Sequence, residues 1–167
     1  MVSGDLDPQK LLDNIQDFAK ENSISIQIFD AQLIFGKDHL RSACEHAKRA
    51  FKQENHISES LEMEIMLYAA GEYQIKNALG KLGVKPGASE IALIIVGELE
   101  NIEQKLNVFF EKLKVDGLEL SIDNRVLDGD IKTLKLYGIT DDELNAVPED
   151  HWFELVLEKV ALVDIIK

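Results

Sequence analysis

The sequence predicts an α/β (α+β) fold, a single domain in which a small mixed or antiparallel sheet of about three to four strands packs against several helices. Three observations point there. Residues 24–29 alternate apolar and polar, residues 91–96 form an unbroken apolar run, and the stretches around them repeat apolar residues at helical spacing. At 167 residues the chain suits one compact core. Within it, residues 1–22 read as an N-terminal helical extension and residues 27–84 as the segment that carries function.

The elements follow in order. Asp7-Pro8 is an N-cap with proline at the first helical position, and Leu11, Leu12, Ile15, Phe18 and Ala19 then form one apolar face ending near Asn22. Ile24, Ile26 and Ile28 share one side of a strand. Lys37 to about Lys52 is the clearest helix: Leu40, Ala43, Cys44, Ala47, Ala50 and Phe51 form a stripe of mostly small residues, suited to close packing. Ser58 is a plausible N-cap for a helix over Leu61–Ala70. A further helical run covers Glu72–Leu82, and the two can join or kink at Gly71, with Gly83 as a C-cap. Ile91–Val96 reads as a buried strand, and 99–113 as a helix. Leu118–Ile122 alternates as a third short strand. Short helices are expected at Ile131–Tyr137 and at Asp141–Ala146, the latter capped by Thr140. Trp152–Ile166 is open between helix and strand, because its Val and Ile content favours strands.

Composition narrows the function classes. No apolar run reaches the roughly 18 residues that span a bilayer, and the acidic first residues lack a signal peptide's pattern, which points to the cytoplasm. A single cysteine, Cys44, forms no intramolecular disulfide and suits a small buried hydrophobe. The net charge of −13 opposes general nucleic-acid binding. It is uneven, however: residues 1–36 carry −4, residues 37–85 carry +1 and residues 98–167 carry −9. Only the middle tolerates a phosphate backbone.

Catalytic patterns are missing. Gly80-Lys81-Leu82-Gly83 lacks the spacing and the Ser/Thr of a phosphate-binding loop. His39 and His46, seven apart on one helix, stand roughly 10 Å from each other, too far for one metal. Cys44 and His46, two apart, do not face each other. Asp128 and Asp130 flank a glycine in what reads as an acidic turn. No catalytic residue, cofactor or metal is expected.

The stretch from Gln27 to Val84 says more. It holds, in order, Phe29-Asp30-Ala31, Gly36-x-x-His39-Leu40 and Tyr68-Ala69-x-Gly71-x-x-Gln74-Ile75, with Ala43, Ala47, Asn55, Glu64 and Ala78 between and after them. Together these resemble the kinase-binding subunit of the KEOPS complex, the family of the PRPK-binding protein (Cgi121), in its archaeal form. The likeness continues through Ile91–Val96, Ile139-Thr140, Glu143-Leu144 and Leu155–Leu162, and so covers most of the chain.

The resemblance implies a non-catalytic subunit of the machinery that makes threonylcarbamoyladenosine (t6A) in tRNA. Its partners would be the small atypical kinase of that complex, bound on the N-terminal lobe and activated, and the single-stranded CCA 3′ end of tRNA. The tRNA-binding residues would be Tyr68, Gly71, Gln74, Ile75 and Ala78, with Arg49 and Lys48 meeting phosphates. On a continuous or gently kinked helix Gly71, Gln74, Ile75 and Ala78 share a stripe, with Tyr68 one turn earlier. Gly71 permits close approach, Gln74 offers both a donor and an acceptor, and Tyr68 and Ile75 offer surface for an unstacked base. Ile75 and Ala78 suit a core better than a ligand contact, and Gly71 equally suits helix packing or a kink. The alternative is a pure protein–protein adaptor of the kinase that never touches RNA. A small enzyme using His39 or the Asp128/Asp130 pair is a third reading. The kinase-facing surface is expected on helices flanking the sheet or near Val160–Ile165.

Overall fold

The computed structural model describes residues 2–3, 7–98, 100–115, 119–120, 127 and 131–167. The Asp128/Asp130 turn, and Leu118, Ser121 and Ile122 of the expected third strand, lie outside the described residues. The elements are β1 (Val2–Ser3), α1 (Pro8–Asn22), β2 (Ser25–Asp30), α2 (Gly36–Lys52), α3 (Leu61–Ala70), α4 (Ile75–Leu82), β3 (Ile91–Val96), α5 (Ile102–Val115), β4 (Glu119–Leu120), α6 (Asp141–Ala146) and α7 (Trp152–Ile166). Short 3-10 turns cover Ala31–Leu33, Ile131–Tyr137 and Glu149–His151. The chain divides into two compact units, each built from two stretches: Met1–Asp30 with Val84–Arg125, and Ala31–Gly83 with Val126–Lys167.

In the first unit α1 starts as its sequence requires, with the Asp7 carboxylate accepting from the Gln9 and Lys10 backbone N–H groups at 3.0 and 3.3 Å. It ends at Ser23, which takes a left-handed conformation. Strands β2 and β3 then pair antiparallel, Ser25 opposite Val96 and Asp30 opposite Ile91. Ile24, Ile26 and Ile28 join Leu11, Ile15 and Phe18 of α1 and Phe109 and Leu113 of α5 in one core. Phe18 and Phe109 stack at its centre, 4.5 Å between centroids. Gly97 follows β3 at φ +155, where a Cβ would fall 2.7 Å from the Ile24 side chain. The α+β class holds, but the sheet is smaller than expected. Among the described residues, strands occur as two antiparallel pairs, β2 with β3 and β1 with β4.

The second unit is helical. Ala43, Ala47 and Ala50 of α2 are sealed, which lets α2 pack closely on α3 and α7. From Glu64 to Ala70 every residue of α3 is buried, as befits a helix enclosed by α2, α4 and α7. Helix α7 settles the ambiguity of the last run. Leu155, Val156, Val160 and Val163 are buried at helical spacing, so packing overrides their strand preference. Thr140 and Glu143 form a reciprocal capping box at α6.

Two expectations about caps are corrected. Ser60, not Ser58, caps α3. Ser58 is instead buried, donating from N and Oγ to Glu64 Oε2 at 2.8 and 3.0 Å, while Ile57 N donates to the same carboxylate. The expected run from Glu72 to Leu82 starts later, at Ile75, because Gly71 ends α3 in the left-handed region at φ +64. The two helices neither join nor kink into one.

Candidate functional site

The second unit holds all seven residues that the resemblance assigns to tRNA contact: Lys48 and Arg49 on α2, Tyr68 and Gly71 at the C-terminal end of α3, and Gln74, Ile75 and Ala78 at α4. A helix end leaves carbonyl oxygens without intrahelical donors, and inside a protein they must be satisfied. Here His39 of α2 and Lys81 of α4 satisfy two of them. His39 Nε2 donates to Ala69 O at 2.8 Å, and Lys81 Nζ donates to Ala70 O at 2.7 Å. The other ring nitrogen, Nδ1, accepts from Phe35 N at 3.2 Å, which fixes the tautomer. Burial lowers the His39 imidazole to about 4, against a smaller opposing effect of its bond to Ala69. His39 is therefore a neutral strut, enclosed, with both nitrogens engaged. The Gly-x-x-His-Leu pattern is legible as architecture.

Lys81 also pairs with Glu72 at 2.7 Å and lies over the Tyr137 ring. Gly71 caps α3 where a Cβ would sit 3.3 Å from Cβ of Lys159 on α7. Its lack of a side chain thus serves a close approach of α7 to the turn. Ala78 is fully buried.

Tyr68 is also fully buried, which corrects its assignment as a stacking surface. Its ring lies beside that of His46, 5.4 Å between centroids. Its hydroxyl donates to Asp164 Oδ1 in a short hydrogen bond and accepts from Lys167 Nζ at 2.5 Å. Burial, then the bond to Asp164, pushes the phenol well above its usual range. Asp164 of α7 is the hub. Its Oδ2 lies 2.8 Å from Arg49 Nη2 and 2.8 Å from His46 Nδ1, and Lys167 reaches Oδ1 at 3.0 Å. Partial burial raises the Asp164 carboxyl, but the bonds from Tyr68, Arg49, Lys167 and His46 outweigh it and hold the group well below the usual carboxylate range. Arg49 is therefore an ion-pair partner as well as a surface cation, whereas Lys48 stands exposed on α2.

The remaining two assigned residues point outward. Gln74 occupies the N-cap position of α4, exposed, and its side chain makes no capping bond. Glutamine is a poor choice for that position on helix stability alone. Ile75 is 41% exposed. Tyr73 and Leu79 are similarly exposed, and Leu79 lies one turn beyond Ile75 on α4. The single stripe from Tyr68 to Ala78 is thus divided: Tyr68 and Ala78 belong to the interior, and Gln74 and Ile75 to the surface. Sequence reasoning missed Leu79, although the i, i+4 spacing of Ile75 and Leu79 could have found it. It also missed Asp164 and Lys167, for which no local pattern stood out.

Among the described residues no three His, Cys, Asp or Glu side chains converge as metal ligands, and no helix is long and apolar enough to cross a membrane. A family model described as kinase binding protein CGI-121 matches residues 7–164. A protein described as regulatory protein Cgi121, from Methanocaldococcus jannaschii, is 28% identical over 144 residues, covering 86% of each chain. With both units spanned by the match, the chain belongs to the CGI-121 family of kinase-binding proteins.

Proposed function

We propose that this protein is a non-catalytic subunit of the KEOPS machinery for t6A modification of tRNA, and that it acts in the cytoplasm. It binds and activates the small atypical kinase of that complex through the kinase's N-terminal lobe, and it also takes the single-stranded CCA end of tRNA. The observation that carries the RNA half is the exposed set at the start of α4. Ile75, Tyr73 and Leu79 offer apolar and aromatic surface beside Gln74, an amide that caps nothing. Such a surface suits unstacked bases, which lie on apolar faces and are read at their edges by an amide. Lys48 supplies an exposed charge on α2 for phosphate.

The test compares binding of intact tRNA with tRNA lacking its CCA end, in the wild type and in Gln74→Ala and Ile75→Glu. Loss of the CCA end or of Ile75 should weaken binding about tenfold or more, given roughly 1–3 kcal/mol per stacked base. Undiminished binding in either case would remove tRNA-end recognition from the account. Co-purification with the kinase should survive both substitutions. On the kinase side, Ile165 and Ile166 of α7 are 77% and 48% exposed, which supports a protein contact there.

One observation favours the second reading, a pure kinase adaptor. Arg49 spends its charge on Asp164, and the chain carries −13 overall. In that case tRNA binding would be absent in the isolated protein while kinase activation persisted.

A further inference from the structure

The exposed turn from Tyr73 to Ile75 leads into a helix with little of its own to hold it. Helix α4 runs only from Ile75 to Leu82, and Ala78 and Leu82 are its buried residues. A helix that short is marginal by itself in water. Ile75, Lys76 and Asn77, its first turn, are all exposed, and the Gln74 side chain caps none of their N–H groups. On the α3 side, Gly71 N donates to Tyr68 O and Glu72 N to Leu67 O, each at 3.0 Å. Those bonds fix the end of α3 and reach no further than Glu72.

Lys81 closes the gap from the other side. From the last turn of α4 it reaches back to the end of α3, with Nζ 2.7 Å from Ala70 O and 2.7 Å from Glu72 Oε1. The Lys81 side chain is 12% exposed and that of Glu72 22%, so water and salt screen this pair far less than a surface pair. Below the ammonium, 5.2 Å from Nζ, lies the Tyr137 ring. That ring is itself fixed: it is buried, its hydroxyl donates to Leu33 O at 2.6 Å, and Phe35 and His39 meet it edge-on. The chain between Glu72 and Lys81 is thus clasped at both ends, and Tyr73, Gln74 and Ile75 lie within the clasp. A lysine in such a segment reads by type as a phosphate contact, but this one is turned inward and occupied.

We propose that Lys81 and Glu72 are positioning residues, whose ion pair, seated on Ala70 O, holds the Tyr73–Gln74–Ile75 turn in the shape that receives an unpaired nucleobase. The RNA consequence rests on the function proposed above. A turn already ordered loses little freedom when a strand binds. Unclasped, only a fraction of the molecules present the turn, and affinity falls by that fraction.

Lys81→Met in the full chain tests this, because methionine keeps the stem and a favourable contact with the Tyr137 ring but has no ammonium. Amide exchange without RNA is the first arm. The Asn77 and Ala78 N–H groups, which close the first turn of α4 on Gln74 O, should exchange about tenfold faster while those of α2 and α7 keep their wild-type rates. Glu72→Gln should give a smaller rise, and the double variant no more than Lys81→Met alone. Unchanged exchange at Asn77 and Ala78, a rise shared by α2 and α7, or effects that simply add each overturn the clasp whatever RNA does. The second arm measures intact tRNA over a salt series. In Lys81→Met affinity should fall several-fold at every salt concentration, with the salt slope unaltered. A slope smaller by about one charge would make Lys81 a phosphate contact and overturn its positioning role. Faster local exchange with undiminished tRNA affinity overturns that role too. A wild type indifferent to loss of the CCA end removes the RNA reading instead, and the exchange arm still decides the clasp.

Discussion

Two halves of one short motif behave as opposites. Upstream of Gly71, Tyr68 and Ala69 are sealed inside the second unit, and the carbonyls of Ala69 and Ala70 have side-chain donors. Downstream, Tyr73, Gln74 and Ile75 are exposed, and the Gln74 amide leaves its helix end uncapped. A left-handed glycine, Gly71, and the half-buried Glu72 separate them. A recurring pattern therefore need not mark one job. The buried half is constrained by packing and hydrogen bonding, and the exposed half has no such reason to be apolar.

Substitutions can break that contrast. The largest effect is expected from His39→Ala, which opens a cavity and strands Phe35 N and Ala69 O. Loss of about 3–5 kcal/mol in denaturant unfolding is expected, and a loss under 1 kcal/mol would mean that the upstream half is not structural. Next comes pH. His39 takes a proton at about 6.5 when unfolded but at about 4 when folded, so the unfolded state binds more protons in between. Stability is full above pH 6.5 and falls with acidification toward pH 4, by about 3 kcal/mol for this group. His39→Gln should remove that slope from urea titrations across the window.

Gly71→Ala comes third, at about 1–2 kcal/mol, from the positive φ and the contact with Lys159. Thermal melts would reveal it, and an unchanged midpoint would mean that the turn tolerates a side chain. The smallest change is expected from Ile75→Glu, within about 0.5 kcal/mol, because the side chain already faces solvent. A fold lost in that variant would place Ile75 with the upstream half.

Local signals were the ones that could be read in advance. Asp7-Pro8, the alternation of Ile24, Ile26 and Ile28, the small-residue stripe of α2 and the Thr140 cap each act within a few residues. Long-range facts were not legible. Helix α7 is helical because its buried positions meet α2 and α3, which its composition cannot announce. Tyr68 looked like a ligand surface because an aromatic residue carries no label of burial, and its partner Asp164 lies 96 residues away. Of the candidate site, the sequence did not show which positions are buried and which are exposed. Gly71 read equally as a kink, a packing residue or a contact, and its positive φ and close approach to Lys159 are long-range facts the sequence does not print.

The chain passes between the two units three times, after Asp30, after Gly83 and after Arg125. No single cut therefore liberates either unit as a contiguous fragment. The stretch 27–84, however suggestive, combines β2 of one unit with α2, α3 and α4 of the other, and omits α7, whose Asp164 anchors Tyr68. Expressed alone it would lack the closing pieces of both units. Deletion mapping would report collapse where it sought binding, so partner surfaces on this protein are to be found by point substitution in the whole chain.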